Sequence, residues 1–302
     1  MDTSKAGANI IVADGTENTV NGAYVAKIYK PGSVELSSDG KEVVDAKKLH
    51  KYDGAVYSKM SMNISGGQAG DGLLSIYAEN EGLVSELHLT INGGDIAIES
   101  GNDGINTNED GISVTTINGG NLSILVNGAT GEGDGIDSNG YLVINGGFVF
   151  AQACGTSMDS GIDSDMGIHI NGGTVIASGN MLDRIESGGQ TYATYSGNRA
   201  NGEHTVCLKD KDGNVVVTHT IVNSYSILVV SSPVMAEAGY TVWDGDTQLQ
   251  VGNGQGGSGG HGGMMPPDGD RPARPTGERP ERPDGMEPPE GMPPFEGNHQ
   301  PV

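Results

Sequence analysis

The sequence predicts an all-β chain folded as a parallel β-helix, a solenoid of about 26 residues per rung, with a small C-terminal antiparallel β unit and a disordered tail. The first observation behind this is a repeat. Ile-Asn-Gly-Gly occurs at Ile91, Ile117, Ile144 and Ile170, with a degenerate copy, Ile64-Ser-Gly-Gly, before them, so the isoleucines step by 27, 26, 27 and 26 residues. The second is an upstream signature in each repeat: Asp103-Gly-Ile-Asn-Thr-Asn, Asp134-Gly-Ile-Asp-Ser-Asn and Ser160-Gly-Ile-Asp-Ser-Asp, with looser forms at Asp53-Gly-Ala and Glu81-Gly-Leu. The third is alternation. Ile96, Leu122, Val149 and Val175 occupy one position across repeats, and Ile98, Ile124, Ala151 and Ala177 the position two later. Period two within a segment and apolar columns between segments are the pattern of stacked strands. Repeats too short to bury a core alone must stack on their neighbours.

Within one repeat, Gly-Ile-Asp-Ser after Asp134, Tyr141-Leu-Val-Ile and Phe148-Val-Phe-Ala are short and rich in β-branched or aromatic residues. Turn residues separate them, so each repeat reads as three strands and three turns. A helical solenoid needs apolar residues at three-to-four spacing over ten or more residues, and glycines interrupt every such window. Asn92, Asn118, Asn145 and Asn171 are expected to stack as an amide ladder at one turn. After Ser178-Gly-Asn the repeat stops. Residues 204–209, 215–222, 225–231 and 240–250 read as strands joined by Asp212-Gly-Asn and Asp244-Gly-Asp turns, an antiparallel unit that caps or leans on the solenoid. From Gly252 the chain is first glycine-rich and then carries eleven of its thirteen prolines, the composition of a disordered spacer or docking segment. The expected domains are 1–182, 183–251 and 252–302. Cys154 and Cys207 are too few for a disulfide framework and read as buried or incidental. The polar start at Met1-Asp-Thr-Ser suggests a fragment or a mature form lacking its export signal.

The formal net charge is -23, and its distribution is uneven. Between Lys59 and Arg184 there is no lysine or arginine, while the same stretch holds sixteen Asp and Glu residues. Nucleic acid and acidic membrane surfaces are poor partners for such a region. Most of these acids read as a solvated face, but those of the Asp-Gly-Ile signature recur in register. Asn106, Asp137 and Asp163 should stand above one another, followed two residues on by Asn108, Asn139 and Asp165. Layers lie about 4.8 Å apart, and carboxylates stacked at that distance repel unless protonated or bridged by a cation. Either the stack is a metal site, or these are surface acids balanced by bulk ions. The donors are hard oxygens without His or Cys, which favours Ca²⁺. The candidate ligands are Asp103, Asn106, Asp134, Asp137, Asn139, Asp159, Asp163 and Asp165, with Glu99 and Glu132 in the adjoining loops.

The Asp14-Gly-Thr-Glu-Asn-Thr segment, Ala55-Val-Tyr-Ser-Lys, the Asp-Gly-Ile-Asp-Ser-Asn repeats with Ile-Asn-Gly-Gly, and the late Val230-Ser-Ser-Pro strand together resemble a family of bacterial secreted carbohydrate-binding β-helix proteins. The likeness covers roughly residues 9–250 and does not extend to that family's usual N-terminal segment. It implies a right-handed parallel β-helix similar to pectate lyases, bound Ca²⁺, an extracellular or cell-surface location, and binding of plant polysaccharides such as cellulose or polygalacturonate.

Similarity to lyases raises the question of catalysis. Pectate-lyase-like elimination uses a lysine or arginine base, and residues 60–183 contain none. Lys59 and Arg184 stand at the edges; His88 and His169 are isolated. Inverting glycoside hydrolysis needs two carboxyl groups about 6.5–9.5 Å apart, and Asp137 with Asp163, or Asp134 with Asp163, are the pairs to test. For sugar contact, Phe148 and Phe150 flank the inward Val149 and should point out of the wall, unless the C-terminal segment packs over them; Tyr141 is a second candidate. The expected function is noncatalytic, calcium-dependent binding of plant-type polysaccharide. A structural adhesin or surface-layer protein is the rival, with a polygalacturonate hydrolase third.

Overall fold

The computed structural model describes residues 7–23, 32–41, 43–45, 54–196 and 203–252. Asp53, the Met1 start and residues 253–302, which carry the expected spacer, lie outside the described residues. Among the described residues the chain is all-β, with one 3-10 turn at Pro233–Ala236 as its helical element. No helix among them is long and apolar enough to cross a membrane.

Three parallel sheets receive strands in rotation, as the tripartite repeat requires. The first contains Ala8–Val12, Met62–Gly66, His88–Ile91, Val114–Ile117, Tyr141–Ile144 and Gly167–Ile170 in that order. The second runs in parallel from Glu17–Gly22 through Leu73–Ala78, Asp95–Ser100, Asn121–Val126 and Phe148–Gln152 to Thr174–Gly179. The third is shorter: Gly54–Ser58, Glu81–Ser85, Ile105–Thr107 and Ile136–Ser138, extended by a single bridge from Ile136 to Ile162. Five Ile-x-Gly-Gly copies thus become six strands in the first sheet. The additional one is Ala8–Val12, where Ile10 lies in register with Ile64 although no Asn-Gly-Gly follows it. Asp14 closes that layer by accepting the N–H groups of Ala69 and Gly70 at 2.8 Å each. Between the first and second layers, Glu35–Leu36 and Val43–Asp45 form a separate two-stranded ribbon.

Register turns the repeat into columns. Ile76, Ile98, Ile124, Ala151 and Ala177 are successive partners in the second sheet, and all are buried in one core with Ile96, Leu122, Val149 and Val175. At the turn, Asn118 donates to Asn92, Asn145 to Asn118 and Asn171 to Asn145, each at 2.9 Å. The second glycine of each Asn-Gly-Gly takes a left-handed φ, from 83° at Gly173 to 97° at Gly94, which a Cβ would strain. The glycine of the Asp-Gly-Ile signature serves a different need. A Cβ on Gly104 would stand 2.6 Å from the carbonyl oxygen of Gly135, and one on Gly135 2.4 Å from that of Gly161, so the layers close only over bare backbone.

A column the sequence reading passed over fills the corner behind that signature. Ser58, Ser85, Thr107 and Ser138 are in register and fully buried. Buried hydroxyls need partners. Ser85 donates to the carbonyls of Met60 and His88, Ser138 to that of Tyr141, and Thr107 and Ser138 bond each other at 2.9 Å. These bonds fasten the third sheet to the first at each corner.

The C-terminal region corrects one expectation. Residues 204–209, 215–221 and the 240s form an antiparallel sheet ordered Val215–Ile221, His204–Lys209, Thr241–Asp244, Thr247–Gln248, with turns at Gly213 and Gly245. Ile227–Ser231 does not join it. This strand pairs antiparallel with Thr174–Gly179 and with Tyr192–Ser196, so both complete the second sheet beyond its last parallel strand. Its alternation serves two cores: Val229 faces the main core, whereas Leu228 and Val230 face a second one. There Ile176, Tyr195 and Tyr225 meet Val206, Leu208, Ile221 and Val242 of the antiparallel sheet. The described residues from 7 to 252 all fall within one compact unit, Met1–Gly263.

Replacing the fully buried Ile124 by alanine is expected to cost about 2–5 kcal/mol, and replacing the exposed Asn118, with its two amide bonds, about 1–2 kcal/mol. Urea unfolding followed by circular dichroism measures both. A larger loss at Asn118 would mean that the amide ladder, rather than the apolar column, carries the stack.

Candidate metal centre and sugar-facing residues

The Asp-Gly-Ile signature builds two adjacent acidic columns because the third sheet is in register. Leu83, Ile105 and Ile136 are partners in the core. The position two residues earlier therefore aligns Glu81, Asp103 and Asp134, and the position one residue later aligns Asn106, Asp137 and Asp163. The first column is tied into the backbone. Asp103 accepts the N–H of Asp134 at 2.7 Å, and Asp134 accepts that of Ser160 at 2.5 Å, each bond joining one layer to the next.

The second column closes the site. One carboxylate oxygen from each of Asp134, Asp137 and Asp163 lies within 4.8 Å of the other two. Desolvation, then the neighbouring charges of Asp163 and Asp103, push the Asp134 carboxyl up to about 9. Desolvation, with Asp183 and Asp137 beside it, raises Asp163 to about 7. Burial also holds Asp103 well above the usual carboxylate range, helped by Asp137 and Glu81. Asn106 donates to Glu81 at 3.1 Å, which leaves its buried Oδ1 with no hydrogen-bond partner among the described residues. Clustered acids raised by burial and by one another's charge, beside an orphaned amide oxygen, are what a hard cation would satisfy, so the donor set fits a metal such as Ca²⁺.

The expected ligands do not all converge. Asn139 turns away, donating to the Asn108 carbonyl at 2.9 Å and to Asp110 at 3.2 Å. Asp159 accepts the Gly133 N–H and the Ser157 hydroxyl, both at 2.5 Å, and so organises its own loop. Asp165 is exposed at the rim. Glu99 lies on the second sheet in register with Tyr77, and Glu132 is exposed in its loop. Two residues complete the site that sequence reasoning missed. Glu81 is buried at the foot of the first column. Asp183, from beyond the last repeat, accepts the Ser164 N–H at 2.9 Å and hydrogen-bonds Asp163. The signal for Glu81 was present in Glu81-Gly-Leu, where Glu stands in the aspartate position.

The aromatic candidates separate. Phe148 is 42% exposed on the second sheet, 6.3 Å from Phe150. Phe150 is half-buried and stacks on His219 of the antiparallel sheet at 4.2 Å, so the C-terminal region covers it. Tyr141 is 38% exposed on the first sheet, 5.7 Å from His169. Other polar groups are engaged structurally: His88 Nδ1 accepts the Val114 N–H at 3.1 Å, and Arg184 pairs with Glu186 at 2.7 Å while donating to the Met166 carbonyl. Cys154 is buried and Cys207 partly so, both free thiols.

These features define a class first: an all-β protein of stacked parallel strands in which, among the described residues, recurring polar side chains form columns along the sheets. The family model of carbohydrate-binding domain-containing proteins matches residues 3–246, and the chain belongs to that family. Membership supports carbohydrate binding as the general function, with a carbohydrate as partner. No curated protein and no solved structure matches the chain.

The raised carboxyls set a pH dependence. Asp134 at about 9 and Asp163 at about 7 hold protons in the folded chain that the unfolded chain, with Asp near 3.9, has released. Stability without a cation therefore falls as pH rises from about 4 through those values. Burial depresses His219 to about 4, which makes stability rise with pH below about 6.5, so the aspartate slope is read above that, where the lowered Cys154 thiol works against it. In chelator the unfolding free energy is expected to drop as pH rises from about 6.5 to about 9, by about 1.4 kcal/mol per pH unit for each excess proton held. Asp134→Asn should flatten the slope; an unchanged slope would place the protons elsewhere.

Proposed function

We propose that the protein is an extracellular, noncatalytic binder of plant-type polysaccharide, polygalacturonate or cellulose, whose binding depends on Ca²⁺ held by Asp134, Asp137 and Asp163. The observation that carries this reading is the Asp134–Asp137–Asp163 cluster beside the orphaned Asn106 oxygen. It stands in a stretch without lysine or arginine between Lys59 and Arg184. Such a surface repels an anionic glycan, and a divalent cation shared between the column and a uronate carboxylate reverses that repulsion. Phe148 and Tyr141 offer exposed ring faces to pyranose rings. The same reading takes the three-sheet stack as a right-handed parallel β-helix, similar to pectate lyases. Crossovers between parallel strands are right-handed in about 98% of cases. In it, residues 1–182 bind, 183–251 cap the stack, and 252–302 act as a wall spacer or docking segment.

Glycoside hydrolysis is a second reading that one observation favours, since Asp163 raised to about 7 is suited to a general acid. Against an inverting mechanism, one carboxylate oxygen from each of Asp134, Asp137 and Asp163 lies within 4.8 Å of the others, closer than the separation that leaves room for its water.

Affinity electrophoresis through polygalacturonate, with calcium and with chelator, separates the readings. Calcium-dependent retardation without new reducing ends, weakened about tenfold or more in Asp137→Asn and Asp163→Asn, is the expected result. New reducing ends that vanish in those variants would establish a hydrolase. Migration indifferent to glycan, with calcium raising only the melting temperature, would establish a structural surface protein.

A further inference from the structure

A cation stands at the end of the first sheet's outer face, and the site described above makes no use of it. Ile168 and Ile185 form a parallel bridge, in which the Ile168 N–H donates to the Arg184 carbonyl at 3.0 Å and the Glu186 N–H to the Ile168 carbonyl at 2.8 Å. Ile185 joins the core cluster beside Ile168, so its neighbours Arg184 and Glu186 face outward. They extend two existing columns by one layer. The first runs Val114, Tyr141, Gly167, Arg184, and the second Thr116, Val143, His169, Glu186. Gly167 thus leaves a gap of one layer between the tyrosine and the arginine. A Cβ there would stand 3.1 Å from Arg184 Nη2 and 2.6 Å from Glu186 Oε1, so both side chains lean back over the glycine toward Tyr141. The guanidinium is held by one edge only. Its Nε pairs with Glu186 at 2.7 Å and its Nη2 donates to the Met166 carbonyl. Nη1 and the second Nη2 hydrogen, the end of the fork, have no partner among the described residues, and the side chain is 59% exposed.

We infer that the end of the Arg184 fork receives the carboxylate of a uronate residue whose pyranose ring packs on Tyr141 across Gly167. The inference rests on the polysaccharide-binding reading and deepens it, since it gives the glycan carboxylate a protein-borne positive charge besides the proposed cation. A planar carboxylate matches the paired N–H groups at the end of a guanidinium, and an exposed tyrosine ring supplies the apolar face for the sugar. Charge selects the ligand. Lys59 and Arg184 bound the stretch that has neither lysine nor arginine, so Arg184 is the fixed cation that a carboxylate meets at this end of the wall. Its ion pair with Glu186 is exposed and therefore weak, and it orients the fork without capping its end. A dense polyanion such as nucleic acid is disfavoured, because Asp165, Asp183 and Glu186 lie close in sequence to the single arginine. One carboxylate per sugar ring is a charge density that one guanidinium can meet. Arg184 also follows Asp183, which hydrogen-bonds Asp163, so a direct contact has to be separated from an effect on the acidic cluster.

The test runs the full chain, with calcium, through gels of polygalacturonate and of the same polymer with its carboxyls methyl-esterified, and follows calcium binding by isothermal titration. Arg184→Gln is expected to weaken retardation by polygalacturonate about tenfold, while retardation by the methyl ester and calcium affinity stay at wild-type values. Arg184→Lys, which keeps the charge but not the fork, should fall between wild type and Arg184→Gln. Tyr141→Ala should weaken retardation by both polymers. Thermal melts at the wild-type temperature would show that the variants fold. If polygalacturonate retards wild type and Arg184→Gln equally, the arginine is not the contact. A calcium affinity lowered in parallel with retardation would make Arg184 a support of the acidic cluster and overturn the assignment. Wild type retarded by neither polymer would refute the polysaccharide reading itself, and this inference with it.

Discussion

Parallel pairing in register sets each side chain directly over its counterpart in the next layer, about 4.8 Å away. Whatever one layer places at a position, the next layer must tolerate at van der Waals range. Apolar residues gain from this, and the Ile76–Ile98–Ile124 column fills the interior without large aromatics. Carboxamides also gain, since each has a donor and an acceptor to offer its neighbours. Hydroxyls gain where a corner carbonyl is within reach. Ionised side chains, which in this stretch are all carboxylates, are those for which stacking is unfavourable by itself.

The acidic columns are the exception that this constraint makes visible. Asp103 and Asp134 recover part of the cost by accepting backbone N–H groups from the following layer, so each helps to hold the stack that crowds it. Their remaining oxygens, with those of Asp137 and Asp163, carry more negative charge than the buried surroundings accommodate. The elevated proton affinities of Asp134 and Asp163 are the direct expression of that imbalance. Stability of the stack and the cation binding proposed for it are thus one electrostatic problem rather than two.

How much the sequence disclosed follows from how often each feature repeats. The inward columns and the asparagine ladder were legible because four layers state them in the same register. The first layer was not, because Ala8–Val12 has the strand without its Asn-Gly-Gly turn. Tyr192–Ser196 and the antiparallel docking of Ile227–Ser231 follow the repeat, where no periodicity guides the reading. At the site, Asp134, Asp137 and Asp163 were identified from their period. Asn139 shared that period, yet its amide found a closer acceptor in Asn108, and Asp183 reached the cluster from outside any repeat. The outward Phe150 was read correctly as outward; its cover, His219, lies in a region whose packing no local pattern encodes.

The asparagine ladder has a consequence of another kind. Asn92, Asn118, Asn145 and Asn171 bond head to tail, all donating toward the N-terminal layers. Each is followed by glycine, the neighbour that least hinders attack of the next backbone nitrogen on the side-chain carbonyl. The turn that repeats through the stack is therefore also a chemically labile Asn-Gly step in each layer that carries it. Deamidation at one rung replaces a donor with a carboxylate that cannot donate to the rung before it, and the broken link adds charge to a chain already strongly anionic. Slow chemical wear would then loosen the stack from its turns inward, leaving the apolar columns to hold layers whose edges no longer match.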